Sequence, residues 1–368
     1  MSLFDLFKGE DADAKAQREA RETKQAASRQ RIEAGSIPLE AVERLGHNAS
    51  RQNTPQHLWT SDLSVSELLL VEQSGFEPLG QVMGTSVYHV GIQWTSGAWR
   101  NSAWSSGTSY EFDVLTRAFY NARHLALSRL AEEAALLGAT AVVGVRLTRV
   151  SVGWAADLLE FSAIGTAIRE KDVRPASTSG AANTSGGPYA ALPPGFRAGV
   201  GPGGTTSHSA NVQPPTLCLS DLSGQEFWKL RAAGFRPVGI ATGNCTYYTI
   251  PSWGTQNVTA GGFFGMGSWQ NVELPDYTQS LYTARELAMS RMEHEAATVG
   301  GTGIVGVTME VEAEPREIEI NNRTRLDMLF HFTTIGTVIA PMAAPPTRPQ
   351  VALTVSLLRG AASDDIEL

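Results

Sequence analysis

An internal repeat is the feature of this sequence that most constrains its fold. The segment 61–91 returns at 220–250, with eleven of 31 positions identical at an offset of 159 residues. The segment 120–145 returns at an offset of 162 with 15 of 26 positions identical, and 161–168 returns at an offset of 171. Because self-similarity on this scale marks a duplicated structural unit, the sequence predicts one small module that is used twice, with the added residues in loops.

The repeat divides the 368-residue chain into five segments. They are a charged N-terminal arm (1–55), a first module (56–170), a linker (171–216), a second module (217–341) and a C-terminal tail (342–368). In the linker, 25 of 46 positions are Gly, Pro, Ser or Thr, a composition that cannot bury enough apolar surface to order the chain, so we expect it to be disordered. The arm has no apolar stripe at heptad spacing, which predicts an exposed and flexible helix.

Each module opens with the signals of a short helix. The motif Ser-x-x-Glu, at 64–67 and 223–226, lets a hydroxyl and a carboxylate satisfy the free amides of a first helical turn. Gly75 and Gly234 lie downstream, and glycine readily adopts the left-handed conformation that ends a helix. The Val, Tyr and Thr content of the residues that follow predicts a strand in each module.

A long helix is the clearest element of both modules. Apolar residues recur at three- and four-residue steps over 122–137 and 284–299, so they share one helix face. Gly138 and Gly300 are expected to end these helices, and two strands follow in each copy. The predicted fold class is α+β, a tandem duplication of a small β-α-β-β module in which helices cover an antiparallel sheet and a short helix precedes each copy.

Composition excludes several classes of protein. The formal net charge of −8 argues against the basic surface that binds a phosphate backbone, so we expect no nucleic-acid partner. No stretch approaches the roughly 20 consecutive apolar residues of a transmembrane segment, and the first residues do not form a secretory signal, which predicts a cytoplasmic protein. Cys218 and Cys245 are the only cysteines, and none of the seven histidines recurs between the copies, so the residues themselves indicate no metal cofactor.

The sequence also lacks a catalytic constellation. It has no nucleophile elbow, no phosphate-binding glycine loop and no HExxH motif, so we expect no enzyme activity. Both copies keep the same charged residues on the long helix, and these are Arg123, Arg129, Glu133, Arg285, Arg291 and Glu295. They could form an anion site or an acid/base pair, but an ion pair at a helix or subunit interface is the favoured interpretation, because partly buried charges usually have partners.

Aromatic residues are concentrated in the predicted strand-to-helix loops. The candidate binding residues there are Trp94, Trp99, Trp104, Trp253, Phe263, Phe264 and Trp269. On loops rich in glycine they offer a surface for a protein partner, or they fold back as lids over the core of the module. Glutamates alternate from Glu310 to Glu319, a pattern that is typical of a solvated strand face and could otherwise hold a hard cation loosely.

The long helix carries a family resemblance. The pattern Tyr120-x-Ala-Arg-x-Leu-Ala-x-Ser-Arg-x-x-x-Glu-Ala-Ala-x-x-Gly-x-Thr-x-x-Val-Gly-Val145, which the second copy repeats, resembles the YbjQ-like family, whose domains are labelled as heavy-metal-binding. The resemblance covers both modules. It implies a unit that assembles into a pentameric ring and, as a cofactor, a divalent or heavy metal. The longer loops, the duplication, the linker and the tails depart from the family pattern.

The tail carries a second resemblance. Its run Leu353-Thr-Val-Ser-Leu-Leu-Arg-Gly360 is similar to the carboxy-terminal peptides that load cargo into encapsulin shells. It lacks the central glycine of those peptides and is followed by eight further residues. The tail is therefore, with the aromatic loops, a candidate contact for a protein partner.

Two functions of different classes follow from these observations. The first is a non-enzymatic oligomeric scaffold or binding module, and the alternative is a protein that sequesters or senses a heavy metal. A homo-oligomer with five-fold rings is expected. Because five is odd, a two-module chain would give either five chains in two rings or an even-numbered ring. Since the copies differ in their loops, like modules are expected to prefer like neighbours, which favours five chains in two rings.

Overall fold

The computed structural model describes the arm, both modules and the start of the tail. The described residues are 3–52, 54, 58–89, 106–151, 158–171, 217–259, 271–320 and 323–343. The predicted disordered linker and the tail peptide lie outside them, as do the aromatic loop residues Trp94, Trp99, Trp104, Phe263, Phe264 and Trp269. Trp253 is described, and 63% of it is exposed.

Each module combines helices with strands. The arm and the first module form α1 (Leu3–Glu33), α2 (Leu39–Arg51), α3 (Val65–Gln73), β1 (Phe76–His89), β2 (Thr108–Glu111), α4 (Asp113–Leu136), β3 (Ala141–Ser151) and β4 (Leu158–Glu170). The second module forms β5 (Cys218–Leu219), α5 (Gly224–Ala232), β6 (Phe235–Ile250), α6 (Trp253–Thr259), α7 (Pro275–Thr298), β7 (Gly303–Ile320) and β8 (Arg323–Pro341). The predicted α+β class is confirmed at this level. No helix among the described residues is long and apolar enough to cross a membrane.

The short helices begin and end where the sequence predicts. In α3, the Ser64 hydroxyl accepts a hydrogen bond from the Glu67 amide, while the Glu67 carboxylate accepts one from the Ser64 amide. The equivalent residues of α5 form the same capping box. Gly75 and Gly234 follow with φ angles of +85° and +88°, so both helices end at a left-handed glycine.

A glycine faces each long helix and lets it pack directly on its sheet. A β-carbon on Gly84 of β1 would lie 2.0 Å from the backbone oxygen of Ala126 in α4. A β-carbon on Gly243 of β6 would lie 1.9 Å from the backbone oxygen of Ala288 in α7. No other residue fits at these distances, so both modules bring helix and sheet together by the same steric means.

The two sheets each include a strand from the other module. Their strand orders are β1-β4-β3-β5 and β2-β6-β8-β7. The short strand β5 pairs in parallel with β3, and β2 pairs antiparallel with β6. The modules are therefore direct neighbours that complete each other's sheets. Within the chain, each module therefore has the unlike module beside it, and the preference for like neighbours between chains stays a prediction.

The second half of the arm is packed, which corrects the expectation of a flexible arm. Ile37 and Leu45 are 2% and 0% exposed and belong to the core of the first module. The Glu132 carboxylate of α4 accepts hydrogen bonds from the Arg31 guanidinium at 3.1 Å and from the Ile37 amide at 3.0 Å. A continuous apolar stripe is thus not required, because two buried side chains and a shared carboxylate hold these helices in place.

The acidic run lies on β7, the edge strand of its sheet. Its exposed members are Glu310, Glu312, Glu317 and Glu319, and because side chains alternate along a strand the first two lie on the opposite face from the last two, so the run does not form the single solvated face that was predicted. Glu314 is only partly exposed, and its carboxylate lies 3.6 Å from Nε2 of His331. The hydrogen bond from His331 lowers the pKa of Glu314, so this carboxylate stays ionised.

Candidate functional site

The contact between the two modules is the candidate functional site. On one side of it, β5 extends the sheet of the first module. The Cys218 amide donates to the Thr140 carbonyl at 3.1 Å, and the Ser220 amide donates to the Val142 carbonyl at 2.9 Å. Beside these strands, Phe227 of α5 is 1% exposed and packs among core residues of the first module. The second module is therefore anchored both by backbone pairing and by a buried aromatic ring.

On the other side, the start of α4 docks on β6. The Thr116 hydroxyl accepts a hydrogen bond from the Thr246 amide at 3.0 Å, and the Thr116 carbonyl accepts one from the Asn244 side chain at 2.8 Å. The Phe112 amide donates to the Thr246 carbonyl at 2.7 Å. Thr116 and Thr246 are 0% and 1% exposed, so water cannot replace these partners if the modules separate only slightly.

An ion pair crosses the contact next to this docking region. The Arg291 guanidinium of α7 donates to the Glu111 carboxylate of β2 at 2.7 Å and to the Asn244 carbonyl at 2.8 Å. Burial opposes the charge on Arg291, but the hydrogen bond and the charge of Glu111 raise the pKa of the guanidinium above its ordinary value. Arg291 thus joins β2 of one module to the sheet of the other.

A buried polar cluster lies at the centre of the contact. Arg123 of α4 is 1% exposed, and Glu295 of α7 is 9% exposed. Nε2 of His124 lies 3.6 Å from the Glu295 carboxylate, and the Tyr120 ring lies against the His124 ring with 3.9 Å between centroids. The amide and the hydroxyl of Thr242 both donate to Oε2 of Glu295 at 3.0 Å. The cluster therefore combines side chains from both modules.

The two charges of this cluster depend on each other. Burial raises the pKa of Glu295, and the charge of Arg123 opposes that rise. Burial lowers the pKa of Arg123, and the charge of Glu295 opposes that fall. Among the described residues, Nε and Nη2 of Arg123 have no hydrogen-bond partner, so attraction between charges is the main link. Burial also raises the pKa of Tyr120, which keeps its hydroxyl protonated.

The equivalent residues of the other copy have different surroundings. Arg129 donates to two backbone carbonyls of the arm, at 3.0 and 3.1 Å. Glu133 pairs with Arg44 of the arm at 3.0 Å. Arg285, the counterpart of Arg123, is exposed on α7. The structure thus brings Arg123, Arg291 and Glu295 to the module contact, places Arg129 and Glu133 against the arm, and leaves Arg285 at the surface.

A cleft of about 320 Å³ lies between the sheets of the two modules. Arg149 forms an ion pair with Glu312 there, and its guanidinium lies 4.7 Å from the centre of the Phe119 ring. The His331 ring stacks on the same Phe119 ring, with 5.1 Å between the ring centroids. The lining residues are Leu147, Arg149, Phe161, Thr308, Glu310, Val311, Glu312, His331, Thr333 and Ile335. Apolar walls with a few charged groups can accept a small ligand or a side chain of a partner.

Several residues of the contact were not singled out from the sequence. Glu111 and Thr116 belong to it, and the second copy carries the same residue types at the equivalent positions, Glu273 and Thr278. A comparison of the copies that extended beyond the charged helix residues would have found them. Asp327 was also missed. It is 0% exposed and accepts hydrogen bonds from Arg325 at 2.6 Å and from the Tyr248 hydroxyl at 2.5 Å, but an isolated Arg-x-Asp on a strand gives no signal of burial.

The described residues do not fit a heavy-metal site. They contain no group of three or more His, Cys, Asp or Glu side chains placed to hold a metal ion. Burial raises the pKa of Cys218 and Cys245 to about 12, which disfavours the thiolate form that soft metals bind. No chemical step through a metal is therefore assigned to this part of the chain.

Comparison with known proteins assigns the chain to a family. The family model YbjQ, described as "Putative heavy-metal-binding", matches residues 78–171 and 252–322. The chain belongs to this YbjQ-like family and carries two tandem copies of its domain, as the helix motif predicts. A relative, "Encapsulin nanocompartment protein Rv1762c" of Mycobacterium tuberculosis, is 37% identical over 276 residues, which cover 75% of this chain and 84% of the relative. No solved structure matches the chain.

Proposed function

We propose that this chain is a non-enzymatic, self-associating component of an encapsulin nanocompartment. The observation that carries the proposal is the 37% identity to the encapsulin nanocompartment protein of Mycobacterium tuberculosis, which extends over 84% of that relative. The matched length of 276 residues is greater than either module, so the likeness involves the two-module chain rather than one widespread domain. Chains that share a whole architecture are expected to share a role.

The module contact supports a scaffold rather than an enzyme. The charges of Arg123 and Glu295 act on each other there, and Arg291 binds Glu111, so three of the six charged helix residues that both copies keep join one module to the other. Burial raises the pKa of Tyr120 and of the cysteine thiols, so these groups stay protonated at neutral pH and are poor nucleophiles. A contact of this kind fixes the two modules relative to each other, as a scaffold requires.

The tail supplies a means of attachment to a shell. Its run 353–360 is similar to the peptides that load cargo into encapsulin shells. Apolar side chains in such a run are the anchors that a hydrophobic groove on a partner would bind. We infer that this run, and not the modules, contacts the shell protein.

The test is co-expression with the encapsulin shell protein of the same genome, followed by isolation of the shells by sedimentation and size exclusion. The full chain is expected to co-purify with the shells. A chain that ends at residue 348 lacks the run and is expected to be absent from them. A chain that ends at residue 360 keeps the run and is the matched control, so we expect it to be retained.

Each other outcome has a meaning. Retention of both truncated chains would overturn the role of the tail and move the attachment to the modules. Loss of both would place the attachment in the last residues. Shells that contain none of the full chain, in cells where both proteins are soluble and abundant, would refute the proposal.

The alternative function is metal binding, which the family description supports. We expect no stoichiometric zinc or copper in native mass spectra of metal-replete protein, because the described side chains do not form a ligand set. Submicromolar binding that disappears in Cys245→Ser would establish the alternative. The same spectra count the chains in the oligomer and so test the five-fold ring, which stays a prediction, as does the cytoplasmic location.

A further inference from the structure

Each module carries two kinds of contact face, a donor face and an acceptor face. Within one chain, only one donor face and one acceptor face are paired with each other. The donor face, named for the module that inserts its residues and not for the direction of hydrogen bonds, consists in the first module of Glu111, Thr116, Tyr120 and Arg123. It binds the acceptor face of the second module, which consists of Thr242, Thr246, Arg291 and Glu295. Among the described residues, the remaining donor face, on the second module, is exposed, and the charges of the remaining acceptor face, on the first, bind the arm, so these two faces are not paired with each other.

The second module keeps every residue of the donor face. These are Glu273, Thr278, Tyr282 and Arg285, each at an offset of 162 from its counterpart. In the first module Tyr120 is 3% exposed under the acceptor face, whereas Tyr282 is 58% exposed. Glu273 and Arg285 are exposed as well. Exposed tyrosine and arginine are typical anchors of protein interfaces, so this surface has the composition of a contact that a single chain does not fill.

The first module keeps the charges of the acceptor face and their internal hydrogen bonds. Nη1 of Arg129 donates to the Thr85 carbonyl of β1 at 2.6 Å. In the second module, Nη1 of Arg291 donates to the equivalent carbonyl, that of Asn244 in β6, at 2.8 Å. The Glu133 carboxylate accepts a hydrogen bond from the Met83 amide at 2.9 Å, and the equivalent distance in the second module is 3.0 Å. Both acceptor faces are thus built in the same way.

Apolar side chains surround these charges on the first module. Met83 and Val87 of β1 are 49% and 62% exposed, whereas their equivalents in the second module lie under the donor face and are 0% and 1% exposed. Trp59, which aligns with Cys218 of the shared strand β5, is 37% exposed, and Leu58 just before it is 86% exposed. The surface that α4 and β3 cover on the second module is therefore largely uncovered on the first.

The arm occupies the charged part of this acceptor face. Arg44 binds Glu133 at 3.0 Å, at the place where the donor face would provide an arginine. The carbonyls of Ile32 and Ser36 accept hydrogen bonds from Arg129, at the place where the donor face would provide a glutamate. The arm thus satisfies the buried charges of the first module in the way that a second module would.

We propose that chains associate head to tail, with the donor face of the second module of one chain bound to the acceptor face of the first module of the next, and that the arm caps this acceptor face until another chain displaces it. This contact rests on the self-association named in the proposed function. Because it joins unlike faces, it repeats from chain to chain and either closes into a ring or continues as a filament. Unlike modules alternate in it, whereas the two separate five-module rings predicted from the sequence join like modules.

The arm competes with the donor face of another chain for the acceptor face of the first module. Its contacts there are weaker, but it is held on the same chain. The Arg44 side chain is 53% exposed in its pair with Glu133, whereas Arg123 is 1% exposed in the module contact. A half-exposed pair contributes little to stability, but an arm on the same chain acts at a high effective concentration. Association is therefore expected to increase with chain concentration and to be limited by the arm.

Sedimentation velocity of the full chain, without any shell protein, tests this contact. The variant Arg285→Glu places a carboxylate opposite Glu133 of the next chain, so we expect the dissociation constant to rise at least about tenfold. Lys229→Glu makes the same change of charge on an exposed position of α5, and we expect it to leave the constant unchanged. Because Arg285 and Lys229 are both exposed, both variants should keep the circular dichroism spectrum of the wild type.

A second variant tests the cap. Arg44→Glu repels Glu133 and releases the arm, so association should become about tenfold tighter, and the double variant Arg44→Glu/Arg285→Glu should lose that gain. Equal dissociation constants for Arg285→Glu and Lys229→Glu would overturn the head-to-tail contact. Association that is unchanged or weaker in Arg44→Glu would overturn the cap. If Arg285→Glu associates like the wild type and the chain is still retained in shells, this contact fails while the proposed function stands.

Discussion

Replacing Arg123 with methionine tests whether a charge pair joins the two modules. Arg123 is 1% exposed, and its partner Glu295, on the other module, is 9% exposed. Methionine has a long, flexible side chain that fills much of the same space without the charge. The change therefore removes the partner of a buried carboxylate more than it opens a cavity.

The expected cost follows from the surroundings of Glu295. Breaking a buried ion pair by removing one partner typically costs about 3–5 kcal/mol. Glu295 keeps the two hydrogen bonds from Thr242, and Arg123 acts on it through its charge without a hydrogen bond, so we expect a cost below this range, about 2 kcal/mol at pH 7. Burial raises the pKa of Glu295, which means that the folded state favours the protonated carboxyl, so the cost should decrease as the pH falls toward that pKa and increase as it rises above it.

Urea unfolding followed by circular dichroism at low protein concentration measures this cost. Arg285→Met is the matched control, because it changes the same residue type at the equivalent but exposed helix position, and its effect should stay within about 0.5 kcal/mol. In the cycle of Arg123→Met, Glu295→Gln and the double variant, we expect a coupling free energy of about 2 kcal/mol. Equal costs for Arg123→Met and Arg285→Met, or an additive double variant, would refute the charge pair.

Three further predictions follow from the packing. In urea unfolding, Gly243→Ala should cost more than about 3 kcal/mol, because the added β-carbon would meet the Ala288 oxygen at 1.9 Å, and a cost below about 1 kcal/mol would contradict the close packing. A thiol reagent at pH 8 should label Cys218 and Cys245 about a hundredfold more slowly in the native chain than in urea, because burial raises both pKa values from 9.0 to about 12, and native labelling at the unfolded rate would contradict the burial. The stability that these protonated thiols confer should be lost as the pH rises from 9.0 to about 12. Protease should cut first in the linker, and the two fragments should still co-elute without denaturant because each module completes the other's sheet, whereas spontaneous separation would contradict the shared sheets.

The sequence by itself determined the local elements and their repetition. The capping box of Ser64 and Glu67, the left-handed Gly75 and the apolar stripe of the long helix each depend on residues within a few positions of one another. Such signals remain readable without knowledge of the fold, because the groups that satisfy each other are neighbours along the chain. The duplication was readable for a similar reason, since identity at a fixed offset needs no structure.

The tertiary structure alone decided how the modules meet and what the arm does. The hydrogen bond between Thr116 and Thr246 joins residues that are 130 positions apart, and the shared strand β5 is only two residues long, so neither leaves a periodic pattern. Tyr120 and Tyr282 occupy the same position of the same motif, yet one is 3% exposed and the other 58%. Burial depends on which distant segment covers a side chain, and that choice is made by the packing of whole modules, not by the residues next to it in the chain.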